Sequence, residues 1–505
     1  MNEVYLLAVD LGTSFIKAAA YDAEGNCLEI KKEEVLSDAS MPGIFVQRGE
    51  EIFQSVLACV RGVTEALGER SQRIAAIGFT GQMAGFIGVD ESWRDITTWS
   101  CSLDTRYLPY ADRQMEEMSQ EFLEIGGTNS PLMAPKCQWF VNSFPERAVS
   151  VSKYMLISSY VIGRLGKCQI SDASLADSYL TWTGLADIRS KTWSEELCHR
   201  SGISPDLLPK IVEASHVCGY LDREYALLLG LPDRLPLVAG AGDKIAGCVG
   251  SGILQEGDVI FETSSYGAVS CLQREYRPNR KRRDYDAIPA CFGDMFYLHR
   301  YLPGSGITLK WFMDTFDTSF AEMEERIGKV PCGSEGLLSV GLLRGDAMPQ
   351  DGSMRGAFIG HSWGHRKEHF YRALLEGYGY ELAATLDSIS ACYPEWDRKK
   401  PIHVIGGGTG SRAWMQILAD VTGSQILCHS NDDEALWGAA LLAGIGSGVL
   451  GDVRAIKARP LQKITRIEPM EENHRKYVTY LRIYEQAKAH LKGTYQALQD
   501  IGKQE

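Results

Sequence analysis

Two aspartates carry the most direct chemistry in this chain. Asp243 follows Gly240-Ala241-Gly242 at the end of the apolar run Leu235 to Ala239, and its small neighbours let a substrate come close to the carboxylate. A carboxylate at such a strand-to-helix turn can accept the proton of a hydroxyl whose oxygen attacks phosphorus. An ordinary helix N-cap has the same appearance. Asp10 ends a second apolar run, Val4 to Val9, and opens the turn Asp10-Leu-Gly-Thr-Ser14. Gly12 lets the backbone turn sharply, and the hydroxyls and amides of Thr13 and Ser14 can surround an anion. Lys17 can reach the same phosphate, and Asp10 can hold Mg2+ directly or through water. A plain hairpin turn with a capping Asp accounts for these residues equally well.

Four other segments have polar groups in turn positions. Thr263-Ser264-Ser265 repeats the grammar of the first hairpin and could face it from the other half of the chain. Gly406-Gly-Gly-Thr-Gly-Ser411 follows a strand and precedes a helix, so Gly407 and Gly408 could let an adenosine or phosphate approach the backbone. A dinucleotide-dependent oxidoreductase would rest on this loop alone. A P-loop is excluded, because no Gly-Lys is followed by Ser or Thr. Gln82-Met83-Ala84-Gly85 and Asp104-Thr-Arg106 offer amides, a carboxylate and a guanidinium, groups that read sugar hydroxyls. His361, His365 and His369 recur at helical spacing, but Gly364 interrupts the helix, so a metal face is not expected. The basic run Arg277 to Arg283 reads as a solvated loop between strands.

The elements that must position these groups alternate between strand and helix, which predicts a mixed α/β architecture. The expected strands are Val4 to Val9, Phe15 to Tyr21, Ile74 to Thr80, Leu235 to Ala239, Val259 to Thr263 and Pro401 to Ile405. Helices are expected over Glu50 to Leu67, Lys244 to Gly252, Lys367 to Ser390 (amphipathic), Arg412 to Thr422, Asp432 to Gly448 and Glu471 to Gln499. At 505 residues the chain exceeds a single core. The two strand–Thr/Ser–strand hairpins suggest a duplicated architecture, with a lobe over residues 1–248 and another over 249–505 that ends in the C-terminal helix. The net charge of −13 argues against general nucleic-acid binding. The thirteen scattered cysteines, with no Cys-x-x-Cys, indicate reduced thiols, and no apolar run reaches the length that spans a bilayer. The start MNEVYLLAVDLG has no basic region and reads as a strand, not a signal peptide, so a cytoplasmic protein is expected.

The ordered set of motifs resembles the FGGY carbohydrate kinases, of the xylulose kinase-like branch, within the actin-like ATPase superfamily. Asp10 to Ser14 resembles the phosphate hairpin, Gly81-Gln-Met-Ala-Gly85 the Gly-Gln-Met-His-Gly of xylulose kinases, and Trp99 to Arg106 the Asp-x-Arg segment. Gly242-Asp243 resembles the catalytic-base motif, and Arg355 to Gly360 with Arg372 to Gly377 the second-lobe signature. Gly406 to Asp420 resembles the adenosine loop and helix, with Ser411 where the adenine is often faced, and Gly438 to Gly444 the last common helix. The resemblance implies a two-lobed actin-like (ribonuclease H-like) fold around a cleft. It further implies transfer of phosphate from ATP to a sugar, most simply a ketopentose such as xylulose, with Asp243 as base. Asp10 and Asp243 would lie near Mg2+. Gly12, Thr13, Ser14, Lys17, Thr263, Ser264, Gly306, Lys310, Gly407, Gly408 and Ser411 would border the nucleotide, and Gln82, Met83, Ala84, Asp104 and Arg106 the sugar. A homodimer is implied by the resemblance only. The chain departs from the pattern at Ala84, which replaces His, and at Ser102, where Trp is frequent, so the sugar could be another polyol, ketose or sugar acid. Glu262 and Ser265 replace glycines beside the Thr-Ser turn, a change that narrows the approach of phosphate. A non-catalytic actin-like ATP-binding protein is the rival of another class; it would need a peptide-binding or DNA-reading extension that the sequence does not show.

Overall fold

The computed structural model describes residues 3–502 apart from 303, 342, 344, 349, 352, 430–432 and 453–463. Two large sheets dominate it. The first runs in the spatial order Val217–Tyr220, Pro236–Val238, Ile74–Gly81, Tyr5–Leu11, Phe15–Asp22, Cys27–Glu34. The second runs Asp286–Pro289, Phe296–Leu302, Gly267–Gln273, Val259–Thr263, Ile402–Ile405, Ile426–His429, Ile464–Ile467. Their inner topologies match. In each, the leading strand pairs antiparallel with the next strand in sequence and parallel with a strand that arrives later. The duplication suggested by two short hairpins is therefore a property of whole sheets. Tyr5 to Val9 and Leu11 are buried on both faces of the strand, which is why this run does not alternate.

Two small-residue helices join the lobes. Asp243–Gly250 leaves the first sheet, and Glu434–Gly446 packs on that helix and on strands Ile74–Gly81 and Tyr5–Leu11. The approach is so close that a Cβ at Gly438 would press on the Ala246 backbone, one at Gly250 on the Glu434 carbonyl, and one at Gly78 on the Ala439 carbonyl. Helix Glu434–Gly446 thus belongs to the core of the first sheet, alongside Leu6, Ala8, Ala76 and Val238, although it lies late in the chain. Asp432, expected to start this helix, lies outside the described residues.

Two expectations need correction. The helix Lys367–Cys392 is buried nearly all round from Tyr371 to Ile389, so it is not amphipathic. The second sheet and the C-terminal helix Glu471–Gly502 enclose it: Tyr477 donates to Glu376 at 2.7 Å and Tyr484 to Glu381 at 2.6 Å. The basic run is not simply solvated. Arg280 pairs with Glu124 at 2.9 Å, and Arg283 donates to the Asn129 side chain at 3.1 Å, so the loop ties the second lobe to the first. Buried Asp286 reinforces that tie by accepting from Asn129 N (2.7 Å) and Trp182 Nε1 (2.7 Å).

Candidate active site

The strand Tyr5–Leu11 carries Asp10 near its end, in register with Thr80 of the parallel strand and Lys17 of the antiparallel one. Gly12 sits under the Phe15 carbonyl, 2.6 Å from where a Cβ would lie, so no larger residue fits the turn. Lys17 Nζ reaches across the lobes to Asp433 Oδ1 at 2.6 Å. Burial, with the charges of Asp243 and Asp433, pushes the Asp10 carboxyl up to about 7, and Lys17 and Lys244 oppose the shift.

Asp243 is the first residue of its helix. Gly240 has a positive φ of 72° and abuts the Phe79 backbone, and Gly242 leaves room only for Met83 beside it. Asp243 Oδ1 accepts from the Lys244 amide at 2.7 Å, which pins one oxygen and leaves Oδ2 outside that bond. Burial raises the Asp243 carboxyl above the usual range, and the Lys244 ammonium pulls the other way. Lys244 Nζ in turn donates to both carboxylate oxygens of Glu262, at 2.8 and 2.7 Å. Glu262, a departure from the glycine pattern, is therefore matched: its charge is neutralised by the residue next to Asp243, across the lobe boundary.

The facing turn is arranged differently from the expectation of free hydroxyls. Thr263 Oγ1 donates to the Ile405 carbonyl at 2.6 Å, and Ser264 Oγ lies 2.7 Å from Glu262 Oε1 and 2.8 Å from the Tyr266 carbonyl. Both hydroxyls are committed, because the turn is held between its own strand and the glycine loop. That loop is in contact: Gly406 abuts the Thr263–Ser264 backbone, and a Cβ at Gly408 would lie 2.7 Å from Thr263 Oγ1. Gly306 joins the same turn by donating its amide to the Ser264 carbonyl at 2.9 Å. Gly407 has open space around it. Ser411 caps helix Arg412–Thr422 by accepting from Trp414 N and donates to Glu324 at 2.6 Å, so its hydroxyl is occupied. Lys310 is exposed and pairs with Asp314 on its own helix at 2.8 Å, which turns its ammonium away from the Ser264 turn. On the hairpin, the Thr13 carbonyl accepts from Gln47 at 2.7 Å, and Ser14 is exposed.

On the first-lobe side, Gln82 links the site together: its Nε2 donates to the Gly12 carbonyl at 3.3 Å and its Oε1 accepts from Trp99 at 3.2 Å. Met83 is buried and Ala84 half-buried, without a polar group to offer. Asp104 is fully buried, and Arg106 (2.9 and 2.7 Å) and Ser100 (2.7 Å) occupy its carboxylate. It braces Arg106 and does not face a ligand freely. The Arg106 guanidinium lies over the Trp139 ring, 4.5 Å from its centroid, and keeps part of its surface open. Sequence reasoning missed Lys136. It is fully buried, bonds Ser100 Oγ, the Cys101 carbonyl and the Asp104 carbonyl, and is held down to about 8 by burial. It also missed Lys244, whose partner Glu262 lies across the lobe boundary, and Asp433, whose partner Lys17 lies 416 positions away. Of the three histidines, His365 accepts from Ser362 N and His369 from Arg366 N, while His361 stands by the Phe370 ring.

The solved structures with this architecture include a gluconate kinase from Lactobacillus acidophilus (TM-score 0.90, 21% identity, 98% of this chain and 100% of that one). A xylulose kinase from Rhodospirillum rubrum aligns with TM-score 0.88 at 21% identity, over 97% of this chain and 100% of that one. The fold is thus the two-lobed actin-like kinase fold. The N-terminal domain of the FGGY family of carbohydrate kinases matches residues 5–250 and its C-terminal domain residues 264–447, and the chain belongs to that family. Among curated relatives, the xylulose kinase of Bacillus subtilis (strain 168) is 27% identical, with 99% of both chains covered. The gluconokinase of the same organism is also 27% identical, over 98% of both.

Proposed function

We propose that the chain transfers the terminal phosphoryl group of ATP to a hydroxyl of a ketopentose such as xylulose, with Asp243 as general base. The observation that carries this reading is the convergence of Asp10, Lys17, Asp243 and the Thr263–Gly408 contact around one cleft, in a member of a carbohydrate kinase family. With Oδ1 pinned by the Lys244 amide, Asp243 Oδ2 receives the proton as the sugar oxygen attacks phosphorus. The Lys244 ammonium favours the ionised carboxylate that this step requires, against the effect of burial. The Gly12 turn and Lys17 orient the phosphates, Gly306, Gly407 and Gly408 let the nucleotide approach, and Gln82 and Arg106 orient the sugar.

The donor set fits Mg2+. Asp10 and Asp243 are hard oxygen ligands whose mutual repulsion a cation relieves, and among the described residues no three ligating side chains converge. That suits an ion which draws most of its ligands from phosphate and water. Held by Asp10 and Asp243, Mg2+ would supply neutralisation of phosphate charge. Closure of the lobes excludes water and so limits idle ATP hydrolysis. No described helix is long and apolar enough to cross a membrane, and all thirteen cysteines are free; both support a cytoplasmic placement.

One observation favours a second reading, a sugar acid. The partly open guanidinium of Arg106 could meet a carboxylate, and a gluconokinase is among the relatives. The test is an ADP-release assay over pentuloses, hexuloses, polyols and aldonates. The first reading expects the highest kcat/KM for a ketopentose. Turnover of aldonates alone would replace it with the second, and sugar-independent ATP turnover would defeat both.

A further inference from the structure

Two donor groups meet on the carboxylate of Glu262. Lys244 Nζ donates to both oxygens, at 2.8 and 2.7 Å, and Ser264 Oγ lies 2.7 Å from Oε1. All three residues belong to the elements that converge on the nucleotide site. Glu262 is paired with Ile405 on the parallel strand, the residue directly before the glycine loop. It immediately precedes Thr263, and a Cβ at Gly408 of that loop would lie 2.7 Å from Thr263 Oγ1. The Gly306 amide holds the Ser264 carbonyl at 2.9 Å. Lys244 directly follows Asp243 and donates its amide to that carboxylate at 2.7 Å. The side chains of Lys244 and Glu262 keep 15% and 20% of their surface open, so the pair is not sealed in the core.

An ammonium and a hydroxyl are donors that bind phosphate oxygens, and a carboxylate offers them acceptors of the same charge. Desolvation cancels much of the attraction within such a pair, so net stability alone does not account for a charged residue at this position. We propose that Lys244 and Ser264 bind a phosphate of the nucleotide and that the Glu262 carboxylate competes with it for them, which loosens the hold on ATP and ADP. This rests on the kinase reading of the site. Glu262 must release Lys244 before a phosphate oxygen can take its place, and the fraction of molecules in which it has done so scales the apparent affinity. A looser hold on ADP favours release of that product.

The test is the Kd of ADP with Mg2+ and without sugar, by isothermal titration at fixed ionic strength, for wild type, Glu262→Gln, Lys244→Met and the double variant. Glu262→Gln keeps the shape and removes the charge. It should bind ADP about tenfold more tightly or better, the worth of a hydrogen bond to a charged group. In the Lys244→Met background the gain from Glu262→Gln should vanish, because the carboxylate then has no ammonium to withhold. Adenosine, which carries no phosphate, should bind all four proteins alike. A Kd for ADP unchanged or raised in Glu262→Gln would overturn the inference. So would an equal gain in the Lys244→Met background, which would make Glu262 a merely repulsive charge, or an equal gain for adenosine. Circular dichroism and Tm establish that each variant is folded. Should Glu262→Gln not fold, Glu262→Asp, one methylene shorter, takes its place with a gain again expected. A wild type that bound no ADP would end the kinase reading and the inference together. A wild type that binds ADP and phosphorylates a sugar of the panel, beside an indifferent Glu262→Gln, would sink the inference alone.

Discussion

Gly438→Ala tests how the fold holds Asp243 in place. Gly438 lies in helix Glu434–Gly446, directly against helix Asp243–Gly250. A Cβ there would stand 2.6 Å from the Ala246 carbonyl carbon and 3.1 Å from its Cα. Carbon atoms in contact prefer ~3.5–4.0 Å, so the overlap is about 1 Å and falls on backbone, which cannot rotate away. Alanine gains ~1 kcal/mol over glycine in helix propensity, while overpacking of this kind costs ~1–3 kcal/mol or more. With the new Cβ only 1.9 Å from the Ala246 carbonyl oxygen, the cost lies at the upper end of that range or beyond it, and the net expectation is destabilisation of ~1–2 kcal/mol. In a domain of ~150–250 residues that lowers Tm by roughly 2–8 °C. Because Asp243 begins the displaced helix, a shift of ~1 Å can also cost up to about 10²-fold in kcat. Gly493→Ala serves as the control. It lies inside helix Glu471–Gly502 with nothing within 4 Å of its new Cβ, so it should raise stability by ~1 kcal/mol and leave kcat alone. Thermal melts and initial-rate ADP release read both variants. A Gly438→Ala enzyme with the Tm and kcat of wild type would refute the claim that close helix packing positions the base.

Other outcomes follow from the charges. In a double-mutant cycle on Lys244→Met and Glu262→Leu, each single variant should lose more stability than the pair together, with a coupling of ~1–3 kcal/mol by denaturant titration; additive losses would show that the cross-lobe pair does not act as a unit. His299, His403 and His429 are held neutral by burial, down to about 3, 4 and 4. The unfolded chain therefore binds more protons below pH ~6.5, and stability should fall from there toward about pH 4, by ~1.4 kcal/mol per pH unit per ring. His403→Gln should shallow that slope in melts taken from pH 7 to 5, and an unchanged slope would contradict it. Asp104→Asn frees Arg106 from its buried brace and should raise KM for the sugar severalfold with KM for ATP unmoved; a change confined to ATP would place Arg106 elsewhere.

Much of this architecture was legible in the sequence because local signals and burial agree. Tyr5–Leu11, Ile402–Ile405 and Arg412–Thr422 are bounded by glycine, aspartate or serine turns whose chemistry stops an element wherever it occurs. The glycines and small residues around Asp243 likewise point to close approach. What could not be read is what depends on partners distant in the chain. Lys17 meets Asp433 across 416 positions, and nothing near either residue announces the other. Lys244 and Glu262 are closer in sequence, but only the juxtaposition of the lobes shows that a helix start and a strand end share a charge pair. The hydroxyls of Thr263, Ser264 and Ser411 looked free for the same reason: in sequence a hydroxyl has no visible acceptor, whereas in the fold Ile405, Glu262 and Glu324 supply one. Helix Lys367–Cys392 lacked its expected polar face because two layers cover it, the outer one from the end of the chain.

The central claim is that Asp243 takes the proton from the sugar. The most direct measurement is kcat of Asp243→Asn on the best sugar, with ATP affinity and Tm recorded on the same preparation. The account predicts an intact fold, retained nucleotide binding and a fall in kcat of ~10²–10⁴-fold. Turnover close to that of wild type, in a folded enzyme that binds ATP, would contradict it.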